Sequence, residues 1–555
     1  MILASDEQVH EYEQLGEPFG WTMLDRFDKH ARNHPEREAV VDPPNKDALL
    51  GLDQERFSYE EFRRRVDAIA TGLRKEGIEK DDIVVVQLPN CWELTALYLA
   101  VARAGGVISP LPVEWRRHEL THVTDLADAA AYVGTDRTDY DFLALSQELR
   151  AEYDSLERTI SLEEVRTMAT GPVDESRFPE VGPNEVFNIQ WTSGTTADPK
   201  ACPMAHNNWN AHSSVLKGSS QVSPGDTILV NVPMVNMTGV GVGLIAWLRT
   251  GGTFVIHHPL DLELMVEQVA DEGVNFTILV PAMLNEIVNH PDVEEFDLST
   301  LDSVITGSAP PSEVSLREFK DRWNIDIINV WGQNEGTILT SLPGMPIEQR
   351  VDQFAWLRDD LEWDLGDKLA EKVAARIDAK VVDDDGTEHT EAGETGEFAY
   401  RGPNVFPGYY NQPELNDEAF DEEGYFYTGD LFRVEEGGYL SFFDRKKDII
   451  IRGGMNISAQ EVENLVLENE NVTDAAAVAM PDPRLGERTC LYVVPQDSVD
   501  DLTLEDITDP LREEVAVYKL PERLEVVDEI PRNPVGKILK TELRADIEAK
   551  LEAEG

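Results

Sequence analysis

The sequence predicts an α/β protein. A large N-terminal domain of doubly wound, mostly parallel sheets, carrying a small β-subdomain, precedes a small α+β C-terminal domain. Three observations carry this. The chain has 555 residues, more than a single hydrophobic core organises. Short apolar runs alternate with helix-length segments up to Val330, the rhythm of a parallel sheet covered on both faces. From about Lys380 the pattern changes to short strands and turns, and after Asp444 it becomes mixed to the end. Residues 1–444 are therefore expected to form the N-terminal domain, with the β-subdomain at about 380–443, and residues 445–555 the C-terminal one.

The elements follow in order. Ser58-Tyr-Glu-Glu61 is a capping box that opens a helix, which Gly77 closes. A β-rich run over 82–88, a helix over 92–104, a Gly105-Gly106 break and a strand from Val107 give a first βαβ unit. Strands are next predicted at 227–232, 253–256, 276–280, 303–306 and 325–330. Ligands of such sheets sit beyond the carboxyl ends of the strands, which singles out Gly307-Ser308-Ala309-Pro310 and Trp331-Gly332-Gln-Asn334-Glu335. Short strands at 381–386 and 396–401 mark the β-subdomain. The segment 343–379 is acidic and partly helical.

Composition narrows the setting. Asp and Glu number 107 against 48 Lys and Arg, only 16 of them Lys, for a formal charge of −59. Such self-repulsion is relieved by salt, which shortens the Debye length to roughly 3 Å at 1 M. A salt-adapted cytoplasm, that of a halophile, is the expected setting. Nucleic acids and anionic membranes need basic surface and are disfavoured as partners. Cys91, Cys202 and Cys490 are widely spaced, so neither a disulfide framework nor a zinc site is expected. The N-terminus is acidic and shows no targeting pattern. The most apolar run, 229–248, is interrupted by Asn231, Pro233, Asn236 and three glycines, which a membrane span tolerates poorly.

Two polar stretches carry the chemistry. Thr192-Ser193-Gly194-Thr195-Thr196-Ala-Asp-Pro-Lys200 is dense in hydroxyls around a glycine and ends in a lysine. Such a run lets backbone N–H groups converge on phosphate oxygens. It is not a Walker A loop, because no Gly precedes Lys200 and no Ser or Thr follows it; alone, it also reads as a polar surface turn. Far downstream, Pro534-Val-Gly-Lys537-Ile offers a second cation. Together they suggest a nucleotide held by one domain and completed by another, in an ATP-using enzyme.

Five ordered elements extend that reading: 192–200, 307–310, 331–335, Tyr427-Thr-Gly-Asp430, and Asp444-Arg445-Lys-Lys447-Asp448 followed by Lys537. Their order and spacing resemble the adenylate-forming (acyl-activating) superfamily over nearly the whole chain. The runs 86–100 and 110–116, with the stretch from Asp444 to Ile457, are similar to short- and medium-chain fatty acyl-CoA and cyclohexanecarboxylate-type CoA ligases.

The resemblance implies two half-reactions. A carboxylate and ATP give acyl-adenylate and pyrophosphate; coenzyme A then gives acyl-CoA and AMP. It further implies that Thr192, Ser193, Gly194, Thr195, Thr196 and Lys200 cradle phosphates and that Glu335 ligates Mg2+ as a hard carboxylate. Trp331 and Gly332 would border the adenine opposite Gly307, Ser308, Ala309 and Pro310, with Asn334 near the α-phosphate and Asp430 and Arg445 at the ribose. Lys537 would stabilise charge in the adenylation transition state. Lys447 holds the hinge position of a mobile C-terminal domain, Gly453 and Gly454 the pantetheine tunnel, and Asn236 and Gly239 the acyl pocket. The tandem glycine also reads as an ordinary turn, and Gly239, Gly241 and Gly243 as packing of helix against sheet. Departures from the family pattern stand at Ala197, Ala201, Asn236, Asn334 and Ala459. Beside the CoA ligase, two other functions are compatible: an acyl-AMP ligase loading a carrier protein, and a catalytically lapsed nucleotide-binding homologue.

Overall fold

The structure is a computed structural model that describes all residues except 15–18, 193–197, 220–221, 356–377, 454, 470, 497–498, 500–501, 513–514, 533–536 and 555. Ser193, Gly194, Thr195, Thr196 and Gly454 thus lie outside the described residues. Contacts divide the chain into two compact units: Met1–Thr192, Asp198–Asp378 and Tyr400–Gly424 in the first, Ala379–Ala399 and Tyr425–Gly555 in the second.

The first unit contains two large sheets. One has eight strands in the order Gly336–Thr340, Asp326–Gln333, Ser303–Gly307, Phe276–Ile278, Ile228–Val230, Phe254–Ile256, Glu38–Val41, Arg56–Ser58. Its interior is parallel, and its two edge pairs are antiparallel. The other has six strands in the order Arg158–Ser161, Ala131–Gly134, Ile83–Val86, Val107–Pro110, Val186–Trp191, Ala201–Ala205, parallel except for the last pair. Ile83–Val86 is buried at every position, as a run of β-branched residues between two covered faces should be.

Local signals set several boundaries. The helix Tyr59–Lys75 starts at Ser58, whose Oγ accepts from Glu61 N while Glu61 Oε2 accepts from Ser58 N. The helix Trp92–Ala104 is buried at every residue but Arg103 and ends at Gly105 with φ 91°. One element departs from expectation. The strand Asp326–Gln333 runs on past Val330 because Trp331 and Gly332 pair antiparallel with Leu339 and Ile338. Gly336, at φ 121°, makes the reversal possible, and a Cβ there would lie 2.1 Å from Asn404 O, so only glycine fits.

The apolar run from Leu229 becomes the end of a strand, then a π-helix Thr238–Leu244 that continues as the helix Ile245–Thr250. Its glycines serve packing. A Cβ on Gly239 would meet Pro233 O at 2.1 Å, one on Gly241 Trp209 Cζ3 at 3.2 Å, and one on Gly243 Val230 Cγ2 at 2.9 Å. Among the described residues no helix is long and apolar enough to cross a membrane. Lys46 is fully buried, with Nζ 2.7 Å from Asp42 Oδ2 and 2.8 Å from Glu93 Oε2.

The second unit is α+β. The long antiparallel pair Val472–Asp482 and Gly486–Pro495 is extended by Ile450–Arg452 and Met455–Ile457 and, in parallel, by Arg523–Val526. The helices Ala459–Leu467 and Lys540–Glu554 cover it, and their apolar faces join its cores. The hairpin Phe426–Glu435 and Tyr439–Arg445 belongs to this unit. All three cysteines are buried and none forms a disulfide.

Candidate active site

Glu335 occupies the turn between Asp326–Gln333 and Gly336–Thr340, so the hairpin fixes where its carboxylate can reach. It is only 8% exposed. Tyr409 Oη donates to Glu335 Oε1 at 2.8 Å, and Phe406 N donates to Glu335 O at 2.8 Å. Burial and the neighbouring carboxylate push the Tyr409 phenol far above its ordinary value, so it stays protonated and donates. Tyr409 also meets Lys200, whose Nζ lies 4.8 Å from the ring centroid, within cation–π range. Tyr409 is thus the buried link between two residues that the sequence singled out separately.

Lys200 and Thr192 close the hydroxyl-rich segment at its base. Thr192 N donates to Lys200 O at 3.0 Å, and Lys200 N donates to Thr192 Oγ1 at 3.1 Å. The antiparallel pair Val186–Trp191 and Ala201–Ala205 delivers the two ends side by side. Thr192 and Lys200 are therefore held side by side at neighbouring strand ends.

Asn334 ties three segments together. Its Nδ2 donates to Trp191 O at 2.9 Å, and its Oδ1 accepts from Met237 N at 2.9 Å. One of its acceptor positions and one of its donor positions are therefore spent on scaffold. Asn236 caps the π-helix, its Oδ1 accepting from Thr238 N and Gly239 N at 3.1 and 3.2 Å. Ser303–Gly307 and Asp326–Gln333 are neighbouring parallel strands with Gly307 opposite Val330, which brings Gly307–Pro310 beside Trp331 and Gly332. A Cβ on Gly307 would approach Val330 O at 2.7 Å, and Ser308 turns the chain at φ 74°.

Asp430, Arg445, Lys447, Gly453 and Lys537 lie in the second unit. Asp430 and Arg445 are cross-strand partners, 3.6 Å apart at Oδ1 and Nε. Asp444 Oδ2 accepts from Ser458 Oγ and Gln460 N at the start of the helix Ala459–Leu467. After Arg445, Lys446 pairs with Asp384 and Glu397, and Arg544 donates to Asp448 Oδ1 at 2.7 Å and to Lys447 O at 3.2 Å. Gly453 has φ 59° and donates to Leu485 O at 2.7 Å. The segment bearing Lys537 is anchored on both sides by Arg532 with Asp474 at 2.7 Å and Lys540 with Glu463 at 2.8 Å.

A divalent cation can be tested against the donor set. Among the described residues no group of three or more His, Cys, Asp or Glu could hold a metal. Glu335 offers a single hard, oriented carboxylate. That suits Mg2+, which commonly takes one or two protein carboxylates and completes its shell with substrate phosphates and water. Sequence reasoning missed Tyr409; the dense turn signal Pro407-Gly-Tyr-Tyr-Asn411 was the clue available.

Comparison with known proteins identifies the family. Residues 27–410 match the AMP-binding enzyme family, and residues 461–537 match the AMP-binding enzyme C-terminal domain. The chain is 30% identical to a medium-chain fatty-acid–CoA ligase of Escherichia coli K12 over 99% of its length and 94% of the relative's. It is 31% identical to a 2,3-dihydroxybenzoate-AMP ligase of Bacillus subtilis 168 over 98% of its length and 97% of the relative's. The fold is similar to that of ATP-bound MatB from Rhodopseudomonas palustris, with a TM-score of 0.80 at 24% identity, covering 95% of this chain and 98% of the other. The protein therefore belongs to the AMP-binding enzymes, and with them to the AMP-forming ligases that activate an acid.

Proposed function

We propose that the protein is an AMP-forming carboxylic acid–CoA ligase acting on a short- or medium-chain or alicyclic acid. The observation that carries this reading is the joining of Lys200, Tyr409 and Glu335 beside the tied ends of the Thr192–Lys200 segment, in a member of the AMP-binding family. Adenylation brings a carboxylate oxygen to the α-phosphorus of ATP, two anions that must be neutralised and aligned. Lys200 and the backbone around Thr192 take the phosphates, with Ser193, Gly194, Thr195 and Thr196 completing the cradle. Asn334 holds the start of the π-helix to the strand end at Trp191, which fixes the wall between acid and nucleotide. Asp430 and Arg445 take the ribose. Mg2+, when bound by Glu335, supplies charge neutralisation on the phosphates.

Lys537 reaches the carboxylate and α-phosphate oxygens during the first half-reaction and withdraws when the domain 445–555 turns about Lys447. Gly453 and Gly454 then line the passage for the coenzyme A thiol. The charge of −59 makes this a salt-requiring enzyme of a halophile's cytoplasm. A carrier protein is the alternative acceptor, favoured by the similarity to a relative named as an AMP ligase. The test is AMP release in molar KCl. AMP should appear only when ATP, acid, Mg2+ and coenzyme A are all present. AMP formed with a carrier protein but not with coenzyme A would replace the acceptor, and no acid-dependent pyrophosphate exchange across a broad panel would overturn the reading.

A further inference from the structure

The buried polar groups of the first unit are not all satisfied, and several unsatisfied ones form one cluster. The strand Val186–Trp191 carries Asn188 and Gln190, two residues apart and therefore directed to one face. The helix His206–Ser219 carries Trp209 and His212, about one turn apart, with ring centroids 5.5 Å from each other. All four side chains are fully buried. Trp209 Nε1 donates to Asn188 Oδ1 at 2.7 Å, so strand face and helix face meet. Asn188 Nδ2, both amide atoms of Gln190 and both ring nitrogens of His212 have no hydrogen-bond partner. Native proteins seldom leave such groups unmet in the interior.

The cluster backs directly onto the candidate site. Trp209 lies against Gly241 of the π-helix Thr238–Leu244, and Met237, which opens that helix, is held by Asn334 beside Glu335. The same Asn334 holds Trp191 O, at the end of the strand that carries Asn188 and Gln190. The unmet groups therefore lie between the strand leading to Thr192 and the π-helix whose start Asn334 holds, and it is only on the ligase reading that the acyl part of the activated acid would extend here.

Their chemistry selects the occupant. Burial pushes His212 down to about 3, so its ring is neutral, with one donor and one acceptor; Gln190 offers both as well, and Asn188 Nδ2 only donors. The cluster contains no cation to balance a second carboxylate, and a hydrocarbon would leave every group unmet. Building on the ligase reading, we propose that the acyl substrate bears a neutral oxygen, a hydroxyl or keto group beyond the reacting carboxylate, that hydrogen-bonds to Gln190, His212 and Asn188. Ordered water is the competing occupant.

The test is ATP–pyrophosphate exchange by the intact protein in molar KCl, with hydroxybenzoates against benzoate and hydroxy- and oxohexanoates against hexanoate. The best oxygenated acid should exceed its unsubstituted parent in kcat/KM by roughly a hundredfold or more, approaching the discrimination of hydrogen-bonding pockets. Gln190→Leu and His212→Leu should each reduce that ratio while leaving ATP affinity and the unfolding midpoint unchanged or raised, because an apolar side chain removes an unmet group. The wild-type ratio decides even where a variant does not fold. Unsubstituted acids used equally well, or a ratio that survives both substitutions, would overturn the inference and leave the ligase intact. ATP binding with exchange for no acid at all would bring down the ligase reading itself, and this inference with it.

Discussion

The two units hold their candidate residues by different means. In the first, Asn334, Glu335 and Tyr409 are fixed by hydrogen bonds between segments far apart in sequence, Glu335 and Tyr409 at buried positions and Asn334 at a half-buried one. In the second, the run Arg445–Asp448 is fixed mainly by ion pairs to Asp430, Asp384, Glu397 and Arg544. Buried hydrogen bonds hold geometry independently of salt, whereas exposed ion pairs weaken as salt rises. Rising salt should therefore loosen the run Arg445–Asp448 within the second unit while leaving the hydrogen-bonded Glu335 site of the first in place.

The sharpest way to break this contrast is at Glu335. Glu335→Gln keeps the shape but removes the charge, and pyrophosphate exchange should fall about 10²–10³-fold, as when one preorganised electrostatic group is removed. A fall of less than threefold would dissociate Glu335 from the chemistry. Tyr409 sharpens the contrast further. Tyr409→Phe removes only the donor to Glu335, and should raise the Mg2+ concentration needed for ATP binding by about 10–100-fold, as loss of an outer-shell partner does. Tyr409→Leu also removes the ring under Lys200 and should weaken metal-free ATP binding as well. Identical titrations for both variants would show that the ring does nothing for Lys200.

Acid should separate the units. Burial lowers His206 and His212 to about 3, His258 to about 4, and His30 and His257 in the same direction, all in the first unit. Unfolded, each takes a proton near 6.5 while the folded unit refuses it. For His206 and His212 that stability is full above pH 6.5 and is lost as pH falls towards 3, by about 1.4 kcal/mol per pH unit each, and His258, His30 and His257 act in the same direction. The second unit has only His389, which is partly exposed. Denaturant melts between pH 7.5 and 5 should show the transition reporting the first unit moving first; coincident movement would contradict the contrast. The smallest effect is expected at Arg544. Arg544→Ala removes its pair with Asp448 and should cost about 1 kcal/mol or less of stability in molar salt.

Much of the fold was legible because its signals are local. The Ser58 capping box, the helix Trp92–Ala104 closed by Gly105, and the β-branched run Ile83–Val86 each state their structure within a few residues. The hairpin that presents Glu335 was not legible. Trp331-Gly-Gln-Asn-Glu-Gly336 has no strand periodicity, and its extension depends on pairing with Gly336–Thr340. Tyr409 escaped notice because it meets Glu335 across 74 residues of sequence, a contact that only the folded chain makes. Lys46 escaped for the opposite reason. Lysine is rarely buried, and nothing near it announces that Glu93 will arrive as its second carboxylate.

The central claim is that a cation carried by the second unit serves one half-reaction and not the other. Lys537→Ala, assayed separately for acid-dependent pyrophosphate exchange and for thioester formation from supplied acyl-adenylate, tests this most directly. Exchange should fall by at least about 10²-fold, with thioester formation from the adenylate largely retained. Equal loss in both assays would contradict the account.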